Sequence, residues 1–267
     1  MERLKEIERS IIKKYRKEIW SKYVKGVKEF EMIKENDKIA VCISGGKDSF
    51  LLAKCMQELL RHKKFHYELE FIVMNPGYNE ENILKIKENL KTLGIDAHIF
   101  DTPIFDVADK TDNPCYLCAR MRRGYLYSYA QKLGCNKIAL GHHFDDVIET
   151  ILMNILYTGN YASMMPKLHS DNFEGMELIR PLYFVREKDI KSWAKYNNLE
   201  FIDCACSVTK KKIGKRQEVK ELVQKLNEIY KEADKCIFAS SFNVNLNTVI
   251  GYKKGNEKHT FMDDYDM

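Results

Sequence analysis

Residues 38–52, KIAVCISGGKDSFLL, decide the fold. The apolar run from Ile39 to Ile43 has the length of a strand covered on both faces. It stops at Ser44-Gly45-Gly46-Lys47-Asp48-Ser49, and Phe50-Leu51-Leu52 then opens a helix. A strand that passes into a helix through such a loop offers an anion bare backbone amides, two hydroxyls and the positive end of a helix dipole. Gly45 and Gly46 permit a tight turn and the close approach of a phosphate. Lys47 adds positive charge, and Asp48 has the chemistry to hold a Mg²⁺ ion bridging phosphates. The G-x-x-x-x-G-K-[ST] spacing of a Walker A loop is absent.

Strands and helices alternate outward from this loop. Residues 1–35 predict helix, with Ile7, Ile11, Ile12, Tyr15, Ile19, Tyr23 and Val27 recurring at helical spacing among charges. Tyr15 and Trp20 are expected in the core. A second strand is expected over Leu69–Met74, followed by a helix that runs through Leu93 and stops at Gly94. Further along come a strand over Ala97–Phe100, a helix from Pro114 to about Leu133, a strand over Lys137–Leu140 and a helix over Asp145–Tyr157. This alternation predicts an α/β class with a doubly wound parallel sheet, most of it within residues 36–160. Ligands then belong at the C-terminal strand ends, where the Ser44–Ser49 loop and the Gly141-His142-His143 turn both fall. Beyond residue 160 the pattern suggests a strand near Leu178–Ile179, a helix over Glu187–Tyr196 and a basic helix from about Gln217 to Lys231. The chain divides into an N-terminal helical region (1–35), an α/β domain (36–205), a small C-terminal helical extension (206–255) and a flexible polar tail (256–267).

Of the 267 residues, 45% are hydrophobic and 31% charged, enough for a full core. Five prolines and thirteen glycines exclude a collagen-like or low-complexity chain. No apolar run approaches the roughly 18 residues that cross a bilayer, and the N-terminus has no signal-peptide pattern. A soluble, cytoplasmic protein with no membrane partner is expected. The net charge of +5 permits a nucleic-acid partner without demanding one. Basic residues cluster at Lys13, Lys14, Arg16 and Lys17, at Arg120, Arg122 and Arg123, and at Lys210, Lys211, Lys212, Lys215 and Arg216. Each cluster reads equally well as a solvated helix face.

Eight cysteines in a reducing compartment do not suggest a disulfide framework. Cys42, Cys55 and Cys135 sit in apolar patterns and read as buried. Cys115 and Cys118 open a helix, where thiolates two residues apart suit one metal centre. Zinc, redox and iron–sulfur roles all fit a C-x-x-C pair, although the thioredoxin-like setting of a redox pair is missing. Zinc needs two more ligands, for which Cys204 and Cys206 are the nearest pair. Asp145 and Asp146 can cap a helix, and beside a phosphate loop they also suit magnesium; Asp146 is expected to be the functional one and Asp145 the cap. His142 and His143 either donate to phosphate or pack beneath the turn. Arg120 and Arg123 share a helix face and Arg122 points elsewhere; they suit RNA phosphates, or one of them pairs with a carboxylate.

SGGKDS resembles the PP-loop of ATP pyrophosphatases, which split ATP into AMP and pyrophosphate while adenylating a substrate. That likeness implies a PP-loop (HUP-like) sheet in the order 3-2-1-4-5. It implies ATP at Ser44, Gly45, Gly46, Lys47, Asp48 and Ser49, with Met74 near adenine and Gly141 and His142 near the ribose or phosphates. Further motifs narrow the family: Pro114-Cys115-Tyr116-Leu117-Cys118-Ala119-Arg120-Met121-Arg122-Arg123-Gly124, Gly141-His142-His143-Phe144-Asp145-Asp146, Arg180-Pro181-Leu182 and Arg186-Glu187-Lys188-Asp189-Ile190. Together, from about residue 5 to 250, they resemble the tRNA 2-thiocytidine synthetase family. The resemblance implies a [4Fe-4S] cluster on Cys115, Cys118 and Cys206, with Cys204 as the alternative because this chain has C-x-C where relatives often have C-x-x-C. It further implies Mg²⁺, catalytic roles for Asp48, Lys47 and Asp146, and tRNA at Arg120, Arg122 and Arg123. The activity implied is ATP-dependent replacement of oxygen by sulfur at C2 of a tRNA cytidine, at position 32. A sulfur donor such as a cysteine desulfurase and a homodimer are the other expected partners. The alternatives are another PP-loop thiolase that makes 2-thiouridine, or a zinc-stabilised, non-catalytic RNA-binding protein.

Overall fold

A computed structural model describes residues 2–62, 66–108, 114–202 and 214–265, without the side chains of residues 106, 108, 114–116 and 264. The strands are β1 (Lys38–Ile43), β2 (Glu68–Asn75), β3 (His98–Asp101), β4 (Lys137–Ala139), β5 (Lys167–His169), β6 (Glu177–Ile179), β7 (Gly251–Lys254) and β8 (Glu257–Thr260). The helices are α1 (Glu2–Ile12), α2 (Ser21–Glu29), α3 (Lys47–Arg61), α4 (Glu80–Thr92), α5 (Ile104–Ala108), α6 (Pro114–Lys132), α7 (Phe144–Thr158), α8 (Glu187–Tyr196), α9 (Lys215–Ile229) and α10 (Ala233–Ser240).

β1 lies inside a six-stranded sheet ordered β3-β2-β1-β4-β6-β5, parallel except for the edge pair β5–β6. Alternation along the strands feeds two cores. Ile39, Val41 and Ile43 join the larger one with Phe71, Val73, Ala139 and Ile179, while Ala40 and Cys42 join the smaller with Ile72, Ile138 and Leu178. Helix α6 covers the second face through Tyr127 and Ala130. Both faces are therefore buried, which is why β1 reads as an uninterrupted apolar run. The predicted order 3-2-1-4-5 is extended by one strand: β6 takes the fifth place, and β5, too short for an alternation signal, forms an antiparallel edge. No described helix is long and apolar enough to cross a membrane.

The N-terminal helix is not continuous to residue 35. A π-helical turn, Arg16–Trp20, separates α1 from α2, and helix ends at Glu29. The reason lies in the spacing of Ile7, Ile11, Tyr15, Ile19, Tyr23 and Val27, all buried and each four residues after the last. At 3.6 residues per turn, a four-residue repeat drifts by about 40° at each step. Wider turns, in which Tyr15 N–H reaches Ser10 O and Trp20 N–H reaches Tyr15 O, return the stripe to the core. Tyr15 and Trp20 are core residues, as expected. At the other end, part of the stretch read as a polar tail is strand β8, paired with β7 across a turn at Gly255, which has φ +62°.

Beneath the sheet, Lys137 is 2% exposed and holds Asp37 and Glu177 at 2.9 Å each and Met32 O at 3.1 Å. One ammonium thus ties together the starts of β1, β4 and β6. Replacing it, as in Lys137→Met, leaves two enclosed carboxylates facing each other and should cost about 3–5 kcal/mol. Urea unfolding of that variant against the native chain measures the loss.

Candidate functional site

Helix α3 starts directly after Gly46, and no side chain caps its first amides, which leaves them to a ligand. Ser49 holds the loop shut: its Oγ accepts from Ser44 N–H at 3.2 Å and donates to Gly46 O at 2.8 Å. Gly45 sits at φ +89°, and a Cβ there would lie 2.5 Å from Ile202 Cδ1, so glycine is required twice over. Lys47 Nζ turns towards Asp48 Oδ2 and Glu187 Oε1, both at 3.1 Å. The other Asp48 oxygen, Oδ1, is buried and has no hydrogen-bond partner.

The β4–α7 turn leans on this loop. A Cβ on Gly141 would come within 3.0 Å of the Asp48 carbonyl carbon and the Ser49 nitrogen, so the two turns touch backbone to backbone. The cap of α7 differs from the expectation. His143, not Asp145, is the N-cap: its ring accepts from Asp146 N–H, while Asp146 Oδ2 accepts from His143 N–H at 2.8 Å. A histidine ring nitrogen serves where Ser, Thr or Asp is usual, which moves Asp146 to the reciprocal position of a capping box. Asp145 instead accepts the first amide of α8, from Glu187, at 2.7 Å. His143 therefore packs beneath the turn, while His142 faces the cavity.

Two cations of α9 reach back into the site. Arg216 binds Asp146 Oδ1 at 2.5 Å and Glu149 Oε2 at 2.7 Å, and Lys220 binds Glu187 Oε2 at 2.6 Å. Arg216, read in sequence as part of a basic cluster, is the counter-ion of two carboxylates, although half of its side chain is exposed. Burial pushes the Glu187 carboxyl up, but Lys220, Lys47 and Lys191 outweigh it and bring the pKa down to about 2. Burial likewise opposes ionisation of Asp146, and His143 and Arg216 outweigh it, so its pKa is lowered. Glu187, Arg216 and Lys220 were not among the candidate site residues. Their signal was long-range complementarity of charge, which spacing along the chain does not carry.

Between these turns and α6 lies a cavity of about 930 Å³. Ser44, Asp48, Ser49, Gly141, His142 and Asp146 form one wall, and Met74 also lines it. Gly45, Gly46 and Lys47 build the loop behind that wall. Arg120, Arg122 and Arg123 all line the opposite side, so the expectation that Arg122 points elsewhere does not hold. Its guanidinium carbon lies 5.8 Å from the Phe105 ring centroid, and the length of the side chain outruns the helical angle. Cys118 is half-buried near the start of α6; Cys115 is in the same first turn, with its side chain outside those described. Cys204 and Cys206 lie outside the described residues. The chain leaves the described part at Ile202, against Gly45, and re-enters at Gly214, next to the helix that carries Arg216.

A PP-loop domain family model matches residues 15–226. A tRNA-cytidine(32) 2-sulfurtransferase of Citrifermentans bemidjiense is 36% identical over 225 residues, covering 82% of this chain and 88% of that protein. One of Syntrophotalea carbinolica is 39% identical over 208 residues, covering 76% and 80%. In fold, the chain is similar to the U34-tRNA thiolase NcsA of Methanococcus maripaludis, solved with its [4Fe-4S] cluster. The TM-score is 0.66 and identity 23%, over 88% of this chain and 80% of the other.

Burial, reinforced by the charge of Arg180, lowers His142 to a pKa of about 4. Arg180 Nε donates to its Nδ1 at 3.3 Å, as a neutral ring allows. NMR titration of the ring should give a midpoint near 4. The unfolded chain titrates near 6.5, so it binds more protons between these two values. The stability that the neutral ring confers is therefore full above about pH 6.5 and declines as pH falls towards 4.

Proposed function

The chain belongs to the PP-loop family and, within it, to the tRNA-cytidine(32) 2-sulfurtransferases, and from that premise we propose that it uses ATP to replace oxygen with sulfur at C2 of cytidine 32 in tRNA. The observation that carries this reading beyond family membership is Asp48 Oδ1. It is a buried carboxylate oxygen with no hydrogen-bond partner, His143 Nε2 standing 3.8 Å away, on the wall of a cavity lined by Arg120, Arg122, Arg123 and Arg180. An orphaned acceptor of this kind is costly unless a ligand or cation completes it.

ATP phosphates take the uncapped amides at the start of α3, and Lys47 neutralises charge on the departing pyrophosphate. Asp48 and Asp146 are the residues that would hold Mg²⁺, a hard cation suited to carboxylate oxygens. Arg120, Arg122 and Arg123 grip phosphates of the RNA, with the target base turned out of its stack into the cavity. The cytidine O2 attacks the α-phosphorus; the new O–P bond forms as the bond to pyrophosphate breaks. Adenylation converts a poor amide-type leaving group into a phosphate ester. Sulfur then adds at C2, and AMP leaves with the original oxygen.

The cysteines offer an all-thiolate donor set of the kind that suits iron–sulfur centres: Cys115 and Cys118 at one helix start, with Cys206, or Cys204, as the third. Among the described residues no three His, Cys, Asp or Glu side chains group as a metal site. When bound, a [4Fe-4S] cluster supplies the sulfur atom, replenished by a donor such as a cysteine desulfurase.

Two substitutions separate the steps. Asp48→Asn should lower tRNA-dependent pyrophosphate release on the order of a hundredfold, read by a coupled phosphate assay. Cys118→Ser should remove iron, acid-labile sulfide, brown absorbance and thiolation while leaving tRNA binding intact. Stoichiometric zinc with no sulfide in the native protein, purified without oxygen, would overturn the sulfur chemistry and favour a zinc-stabilised RNA-binding protein.

A further inference from the structure

Arg216 and Lys220 of α9 are held by carboxylates, Lys215 stands over the Tyr157 ring, and the arginines of α6 belong to the cavity. A third concentration of positive charge lies on α1 and at the far end of α8. Arg3, Arg9, Lys13 and Lys14 line a groove of about 730 Å³ whose other wall is Tyr196, Asn197 and Asn198. Glu6 is the one carboxylate among its lining residues. Among the described residues, none of the four cations has an ion-pair partner. That sets them apart from Lys47, Arg216 and Lys220, whose fields are cancelled at contact distance.

The groove is built on a fixed base. Buried Ser10 accepts from Trp193 Nε1 and Asn197 Nδ2, each at 3.1 Å, and donates to Ile7 O at 2.6 Å. Lys14 Nζ stands 3.9 Å from the centroid of the Tyr196 ring, which places one ammonium in advance. From Tyr196, α8 leads back to Glu187 in the candidate site, ten residues or about 14 Å of helix away. Lys195, exposed and in no ion pair among the described residues, lies on that path, while Lys191 one turn earlier is held by Glu187 at 3.1 Å. A protein partner would want an apolar centre ringed by polar groups. Here the apolar side chains are only Ile7 and the Tyr196 ring; the others are the four cations, two asparagines, Ser10 and Glu6. Spaced cations without carboxylate partners suit a phosphodiester chain.

We propose that the α1–α8 groove holds the backbone of the RNA a few nucleotides away from the one that enters the cavity. The groove positions the RNA and does not read its sequence. The inference rests on the tRNA reading above, and the experiment separates the two.

The affinity of the full-length protein for unmodified tRNA transcript is measured by fluorescence anisotropy over a series of KCl concentrations. The variant Arg9→Ala/Lys13→Ala/Lys14→Ala should bind on the order of tenfold more weakly, and its salt dependence should fall by about two to three counter-ions. KM for tRNA should rise while kcat for pyrophosphate release stays put. All three side chains are exposed, so circular dichroism should match the native chain. The control Lys253→Ala/Lys254→Ala/Lys258→Ala removes the same charge from the β7–β8 hairpin and should leave affinity and slope within twofold. Unchanged affinity and slope in the first variant overturn the groove and leave the tRNA reading standing. An equal loss in the control overturns it too, as a non-specific charge effect. A native protein with no affinity for tRNA overturns the reading of function, and the groove with it.

Discussion

Gly141 and the backbone of Asp48–Ser49 are so close that no side-chain carbon fits between them. The rest of the site depends on that approach. It follows from β1 and β4 being parallel neighbours whose C-terminal ends emerge on one edge, each passing at once into a helix. Helix α8 joins them, with Glu187 at its start touching Lys47 and its first amide bound by Asp145. Three helix N-termini, those of α3, α7 and α8, therefore converge. Their positive ends repel one another unless negative charge lies between them. First-turn carboxylates supply it: Asp48 on α3, Asp145 and Asp146 on α7, Glu187 on α8. Together with the amides they leave uncapped, these form a place where phosphates and a divalent cation both find partners.

Four carboxylates around one cleft exceed what three helix ends offset, and the excess is met from elsewhere in the chain. Arg216 and Lys220, one turn apart on α9, settle on Asp146 and Glu187. These contacts span 70 and 33 residues of chain and anchor the C-terminal helices to the phosphate side of the cavity. A cation that arrives at Asp146 meets Arg216 already there. If Asp146 holds the cation proposed above, that cation shares the carboxylate with Arg216, and the two contacts compete. The helix so anchored directly follows the stretch that carries Cys204 and Cys206.

The parallel core was legible because β1 is buried on both faces and writes that fact as an unbroken apolar run. The loop was legible because six consecutive residues carry its chemistry. Local signals failed where geometry was set by distant partners. His143 caps α7 because the turn packs its ring beneath the helix start, a role that side-chain propensity assigns to Asp145. The regular four-residue repeat of the N-terminus was read as one helix, although a repeat longer than 3.6 calls for a wider turn somewhere. β5 has three residues and no pattern of its own; it exists because β6 offers an edge. The Gly255-Asn256 pair that turns the β7–β8 hairpin was present in the sequence but outweighed by the polarity around it.

Basic clusters show the same division most sharply. In sequence, Lys13-Lys14 and Lys215-Arg216 are alike: short runs of cations beside an amphipathic helix, with the same formal charge. Folding separates them. Arg216 lies between two carboxylates, where burial opposes its charge but Asp146 and Glu149 outweigh that and raise its pKa. Its charge is offset at contact distance by those two carboxylates. Lys13 has no such partner, and its field extends into solvent over a distance set by salt, about 8–10 Å. Charge is therefore legible residue by residue, whereas the field a partner feels depends on which charges are already paired. That pairing is a property of the tertiary fold, and it is what distinguishes a cation that builds the site from one that can draw a polyanion towards it.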